Sequence, residues 1–158
     1  MGREARRVPP DWNHPKDEYG RFIPLLTNYE RVTADWDEHS QKWSEGLKYN
    51  GIKEAWIPKA EDEQSMSYEE WDGKRPRPEN YMPEWTEKEA THYMMYETAT
   101  EGTPISPAFA TPEELARWLA DNKASLHAYD VADYETWLDI LNAGKDVFTQ
   151  GIALKLAE

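Results

Sequence analysis

The chain has 158 residues, of which 39% are hydrophobic, and its 31 Asp and Glu against 18 Lys and Arg give a formal charge of −13. That balance argues against direct binding to nucleic acid, since phosphate backbones are held by cationic neutralisation. With no Cys there is neither a disulfide framework nor a thiolate zinc site, and no apolar run approaches the ~20 residues of a membrane span, so a cytoplasmic protein without a membrane partner is expected.

A mean hydropathy of −0.95 would suit a partly disordered chain, but eight Trp, nine Tyr and three Phe can close a small core by themselves. The length suits one domain with irregular additions. Residues 1–26 contain Pro9, Pro10, Pro15, Pro24 and the turn-like Asp17-Glu18-Tyr19-Gly20, which predicts an ordered extended arm rather than regular structure. Trp12, Phe22, Ile23 and Leu25 give that arm something to bury. Its charge is nearly balanced, with Arg3, Arg6, Arg7, Lys16 and Arg21 against Glu4, Asp11, Asp17 and Glu18. Nearly all the net negative charge lies beyond it.

Tyr29, Val32, Trp36, Trp43 and Leu47 share one stripe and predict an amphipathic helix from about Asn28 to Lys48. Thr27 or Asn28 serves as its N-cap, and Tyr49-Asn50-Gly51 as its stop. Residues 50–84 show no clear period and are expected to be an irregular acidic region, with a helical turn at Ser67–Trp71 and a proline-broken linker at Lys74–Pro78. Residues 85–158 hold an α+β core. Within it, Thr91–Thr98 and the short Ile105–Phe109 are predicted strands, with Pro104 and Pro107 confining the second to an edge. Thr111-Pro112-Glu113-Glu114 starts a helix with a capping box, and a further helix runs from Asp130 or Ala132 to Gly144 and packs on it. Val147–Leu154 is a predicted closing strand. The fold class expected is α+β, a small antiparallel sheet packed with three helices behind a proline-rich arm.

Three stretches carry a resemblance: Arg7-Val8-Pro9-Pro10-Asp11-Trp12-Asn13-His14-Pro15-Lys16-Asp17 with Ile23-Pro24-Leu25-Leu26; Tyr81–Trp85; and Glu97-Thr98-Ala99-Thr100-Glu101-Gly102-Thr103-Pro104-Ile105-Ser106-Pro107 running into Thr111–Leu119. Together they resemble a family of small, uncharacterised proteins encoded by phages and prophages. The resemblance spans the arm and the C-terminal half and implies a bacterial host cell as the setting. It brings no catalytic residues with it.

His14, His39, His92 and His127 lack close partners at ligand spacing, so no metal site is expected. There is no serine-nucleophile elbow, P-loop or dinucleotide glycine pattern, and no cofactor or catalytic residue is assigned. Glu97 and Glu101 flank a Thr-rich turn that reads better as a solvated hairpin than as an acid–base pair. The same turn offers amides and hydroxyls for an anion. A ligand-binding set of Trp85, Tyr96, Glu97, Thr100, Glu101, Gly102 and Thr103 therefore follows, for a nucleotide-like molecule stacked on aromatic rings. A second set, Asp35, Asp37, Glu38, Glu113 and Glu114, is expected to bind a host protein through complementary charge. The leading expectation is a non-enzymatic, phage-encoded acidic interaction protein that modulates or inhibits a host factor, with small-ligand sequestration as the alternative.

Overall fold

The computed structural model describes residues 2–127 and 130–143. In chain order they form β1 (Arg3–Val8), α1 (Tyr29–Ser44), β2 (Leu47–Asn50), β3 (Ala55–Pro58), α2 (Tyr68–Asp72), β4 (His92–Glu97), β5 (Thr103–Phe109), α3 (Pro112–Asp121), β6 (Ser125–His127), β7 (Asp130–Val131) and α4 (Tyr134–Ala143). The architecture is α+β, with antiparallel sheets of three and two strands. Val147–Leu154, the expected closing strand, Gly144, the expected end of α4, and the side chain of His127 lie outside the described residues. Among the described residues no helix is long and apolar enough to cross a membrane. Where one domain was expected, contacts divide the chain into two compact units: Met1–Thr27 with Pro83–Glu158, and Asn28–Met82.

The first unit is built on the sheet β1-β4-β5, with β4 in the middle. The first residues of the arm are thus a regular strand, paired from Arg3↔Glu97 to Val8↔His92. Its four charged residues hide any alternation, and both of its faces are covered, so Glu4, Ala5, Arg6 and Val8 are all buried. Ala5 and Met95, opposite each other, face a core completed by Leu115 and Leu119 of α3 and Trp137 and Leu141 of α4. The start of α3 keeps the expected cap and proline, with the Thr111 hydroxyl accepting the Glu114 backbone N–H at 3.1 Å and Pro112 in the first turn, but only half of the expected capping box forms, since the exposed Glu114 carboxylate makes no return bond to the Thr111 N–H. β5 is an edge strand among the described residues, as its two prolines require. Its register shifts opposite Met95, whose N–H donates instead to the Ser106 hydroxyl at 2.8 Å.

The other face of this sheet carries Glu4, Arg6, Val8, Met94 and Tyr96, and the rest of the arm returns across it. The expected turn forms: Gly20 N–H donates to Asp17 C=O at 3.0 Å, and the Asp17 carboxylate accepts the Tyr19 and Arg21 N–H groups at 2.9 Å each. Leu25 N–H then donates to Gly102 C=O at 3.0 Å. Gly102 has φ +107°, and a Cβ placed there would lie 1.9 Å from the Leu25 carbonyl oxygen. Two independent reasons therefore exclude a side chain at this position.

In the second unit, α1 starts at the expected Asn28 cap but stops before the expected Lys48. Asn28 holds the cap position in the left-handed region at φ 64° with no side-chain cap bond. The helix ends at Ser44 because Gly46, at φ +87°, accommodates the reversal. Of the expected stop Tyr49-Asn50-Gly51, Tyr49 and Asn50 instead end strand β2, paired with Trp56 and Ala55, and Gly51 opens the hairpin bend, where the Asn50 side-chain oxygen accepts the Ile52 and Lys53 N–H groups at 2.9 Å. Within residues 50–84, β3 and α2 alternate with turns and loops, and the helical turn expected at Ser67–Trp71 forms as α2 with Ser67 as its N-cap. Trp43 of α1 stacks on Trp71 of α2 with ring centres 4.8 Å apart, its indole N–H donates to Met66 C=O at 2.7 Å, and Tyr68 sits edge-on to Trp36 at 5.1 Å. His39 packs edge-on to Trp56 with ring centres 4.9 Å apart.

The glycine geometry yields a paired prediction. Gly102→Ala should destabilise the protein by ~3 kcal/mol in urea unfolding, because backbone strain and a backbone clash add. Gly20→Ala has a left-handed φ of +79° but open space around it, and should lose only about 1 kcal/mol.

Candidate functional site

The buried face beneath the arm is polar at its centre. Arg6 donates from Nε to Glu4 Oε2 at 3.0 Å and from a terminal nitrogen to Leu25 C=O at 2.7 Å, while its guanidinium lies 4.3 Å from the centre of the Tyr96 ring. Beside it, His14 is 2% exposed. Its Nε2 is 2.6 Å from Ile23 C=O and its Nδ1 is 2.9 Å from the Tyr96 hydroxyl. A carbonyl only accepts, so Nε2 carries the proton and Nδ1 accepts from Tyr96. The Tyr96 oxygen in turn accepts the Trp12 indole N–H at 3.0 Å. Every group in this chain is satisfied by the neutral imidazole.

Along this network, between the arm and β5, runs a cavity of about 600 Å³. Trp12, Phe22 and Trp118 supply aromatic walls; Pro10, Pro104 and Pro107 supply rigid apolar ones. The polar groups that border it are largely committed elsewhere. Both His14 nitrogens are engaged, and the Ser106 hydroxyl accepts from Met95 N–H and donates to Pro107 C=O at 2.9 Å. Neither can serve as base or nucleophile without breaking the structure that holds it. The Lys16 ammonium stands 5.0 Å from the Phe22 ring centre. What the cavity offers is stacking surface with one positive charge.

A second cavity, of about 480 Å³, lies where α3 meets α4 and shares Trp118 with the first. Phe109, Trp118 and Tyr134 line it, and Glu113, Glu114, Asp121 and Arg117 bring its charge. The Arg117 guanidinium lies 4.0 Å over the Tyr134 ring, and its closest approach to the Asp121 carboxylate is 3.9 Å.

The predicted site residues divide between these places. Tyr96 is fully buried, covered by Arg6, and Trp85 packs edge-on against Trp12 at 4.9 Å. Glu97 pairs with Arg3 at 3.3 Å. The Thr100 hydroxyl bonds to Glu97 C=O at 3.2 Å and to the Thr103 hydroxyl, so the turn satisfies itself. Glu101, at φ 65°, is exposed, and Gly102 is closed against Leu25. None of these seven lines either cavity. Of the acidic set, Asp35 faces Arg31 across one helical turn, and Asp37 holds a two-pronged pair with Arg75 at 2.9 and 3.0 Å, whose hydrogen bond keeps its carboxyl below the usual range. Glu38 is exposed on α1. Glu113 and Glu114 do reach a cavity. Sequence reading missed Phe22, Trp118 and Tyr134 as lining groups, because each also reads as core at its spacing. Among the described residues no group of three or more His, Asp or Glu is placed to hold a metal ion.

No family model matches the chain, and no curated protein or solved structure is significantly similar to it.

The network makes stability depend on pH. Burial holds His14 below the ordinary imidazole value and the Arg6 charge adds to this, against the opposing pull of the Ile23 hydrogen bond. Burial likewise pushes Tyr96 up to about 12, against the Trp12 hydrogen bond and Arg6. Below pH ~6.5 the unfolded chain takes up a proton on His14 that the folded one refuses, so stability falls from there down to the folded pKa. Urea midpoints at pH 7 and pH 5.5 should therefore drop in the parent protein, with a smaller drop in His14→Gln.

Proposed function

We propose that the protein is a non-enzymatic, phage-encoded interaction protein that engages a basic surface on a host factor, such as a nucleic-acid-handling or anti-phage defence complex. One observation carries the reading: Glu113 and Glu114, exposed in the first turn of α3, border an aromatic-walled cavity together with Asp121. Carboxylates around a concave apolar surface give a basic partner both steering and a seat. The overall charge of −13 adds long-range attraction, and the resemblance to phage proteins supplies the host setting. Modulation or inhibition follows if the partner's basic groove is the one it uses for phosphate backbones.

Capture from host lysate tests this. A partner retained at low salt should be released as salt rises, and the double variant Glu113→Lys with Glu114→Lys should lose about tenfold or more of it. An identical partner held with identical salt dependence by that variant would sink the reading.

The arm cavity favours a second reading, a binder that sequesters a small planar ligand such as a nucleotide base. Three aromatic walls and the Lys16 charge support it. Tryptophan fluorescence across a nucleotide panel should saturate with at least one member, and Trp12→Leu should abolish that response. A flat panel would remove this alternative.

A further inference from the structure

We propose that the cavity at the α3–α4 junction is a guanidinium site, taking one arginine side chain of the basic partner. The inference rests on the interaction reading above and names the group that this surface would recognise. Its walls are the rings of Phe109, Trp118 and Tyr134, and Phe109 and Trp118 lie at 44° with centres 6.2 Å apart. Aromatic faces attract a cation, and a planar one can lie flat on them. Three carboxylates, Glu113, Glu114 and Asp121, border the same space against one guanidinium, Arg117, so the lining carries a surplus of negative charge.

The fold already displays the preference. Arg117, the chain's own guanidinium at this place, lies 4.0 Å over the Tyr134 ring. Its closest carboxylate contact, 3.9 Å to Asp121 Oδ1, is well outside the 2.7–2.9 Å of a charge-assisted bond, leaving that carboxylate able to accept a better-placed donor. Among the described residues the Glu113 and Glu114 carboxylates have no hydrogen-bond or ion-pair partner. Arginine rather than lysine fits because a guanidinium is less strongly hydrated, stacks through its plane and forks two N–H groups to one carboxylate. The same aromatic faces would give an ammonium a weaker, undirected contact.

The test uses the full chain and three short blocked peptides identical except for one residue: arginine, lysine or citrulline, the last an uncharged near-isostere. The readout is the Trp118 indole N–H resonance, assigned with Trp118→Phe. The arginine peptide should shift it saturably and bind at least about tenfold more tightly than the citrulline peptide, and more tightly than the lysine peptide, with affinity falling as salt rises. Glu113→Gln with Glu114→Gln should weaken arginine binding several-fold while circular dichroism is unchanged. Equal binding of arginine and citrulline, binding of lysine as tight as arginine, or no shift at millimolar peptide would each overturn the assignment. Lysate capture that is lost in the charge-reversed variant while the arginine peptide fails would spare the interaction reading and remove only the guanidinium site; arginine binding without charge-dependent capture would do the reverse.

Discussion

A buried guanidinium organises the larger unit. Arg6 sits on the sheet face opposite the helices, where it reaches Glu4 on its own strand, the Leu25 carbonyl at the end of the arm and the face of Tyr96 in β4. Breaking a buried pair from one side typically costs about 3–5 kcal/mol, because the charge left behind has no solvent to return to. The arm is therefore no loose appendage: its far end is fixed by the same group that sits inside the sheet. Gly102 belongs to this arrangement too, since the Leu25 carbonyl that accepts from Arg6 lies where a Gly102 Cβ would stand. A polar centre that is fully satisfied specifies one packing where an apolar one would tolerate several.

Both cavities follow from the two-sided burial of the sheet. Helices α3 and α4 cover one face and the arm the other, and β5, at the sheet's edge among the described residues, borders both layers. Trp118 projects from α3 at that edge and lines the cavity on each side. The arm-side cavity is stacking surface in which His14 and Ser106 are already engaged and Lys16 brings the charge; the helix-side one is aromatic, with the exposed Glu113 and Glu114 at its border. Their chemistry differs although they share a wall.

Much of the helical architecture was legible in the sequence, and the reasons are local. Thr111-Pro112 fixes the start of α3 through one hydroxyl and one ring, and Ser67 does the same for α2 by accepting the Glu70 N–H at 3.1 Å. The hairpin β4–β5 was readable from its turn residues and prolines. β1 was not, because a strand covered on both faces and carrying Arg3, Glu4, Arg6 and Arg7 shows no period-two signal. Apart from α2, residues 50–82 were opaque for another reason: their aromatics are collected from turns and very short elements, so no spacing relates Trp56 to Tyr68 and Trp71. At the candidate sites, Glu113 and Glu114 were legible through charge and position. Gly102 drew notice for the right property, an accessible backbone, but the molecule spends that property on the Leu25 carbonyl. The roles of His14 and Trp12 depend on Tyr96 more than 80 residues away, and nothing local announces them.

Pairing of β1 with β4 joins residues 94 apart in the chain, with Arg3 opposite Glu97. During vectorial synthesis the whole of residues 28–82 leaves the ribosome before the partner strand exists, so that segment has time to condense first while β1 waits. An exposed strand in waiting is a template for wrong pairings with other nascent chains. Here the four charged side chains among its six residues, which obscure the strand from pattern reading, also make it a poor template. The ionic content that Arg6 and Glu4 bring to the finished interior thus has an earlier use, as a safeguard on an unpaired edge until its proper neighbour is made.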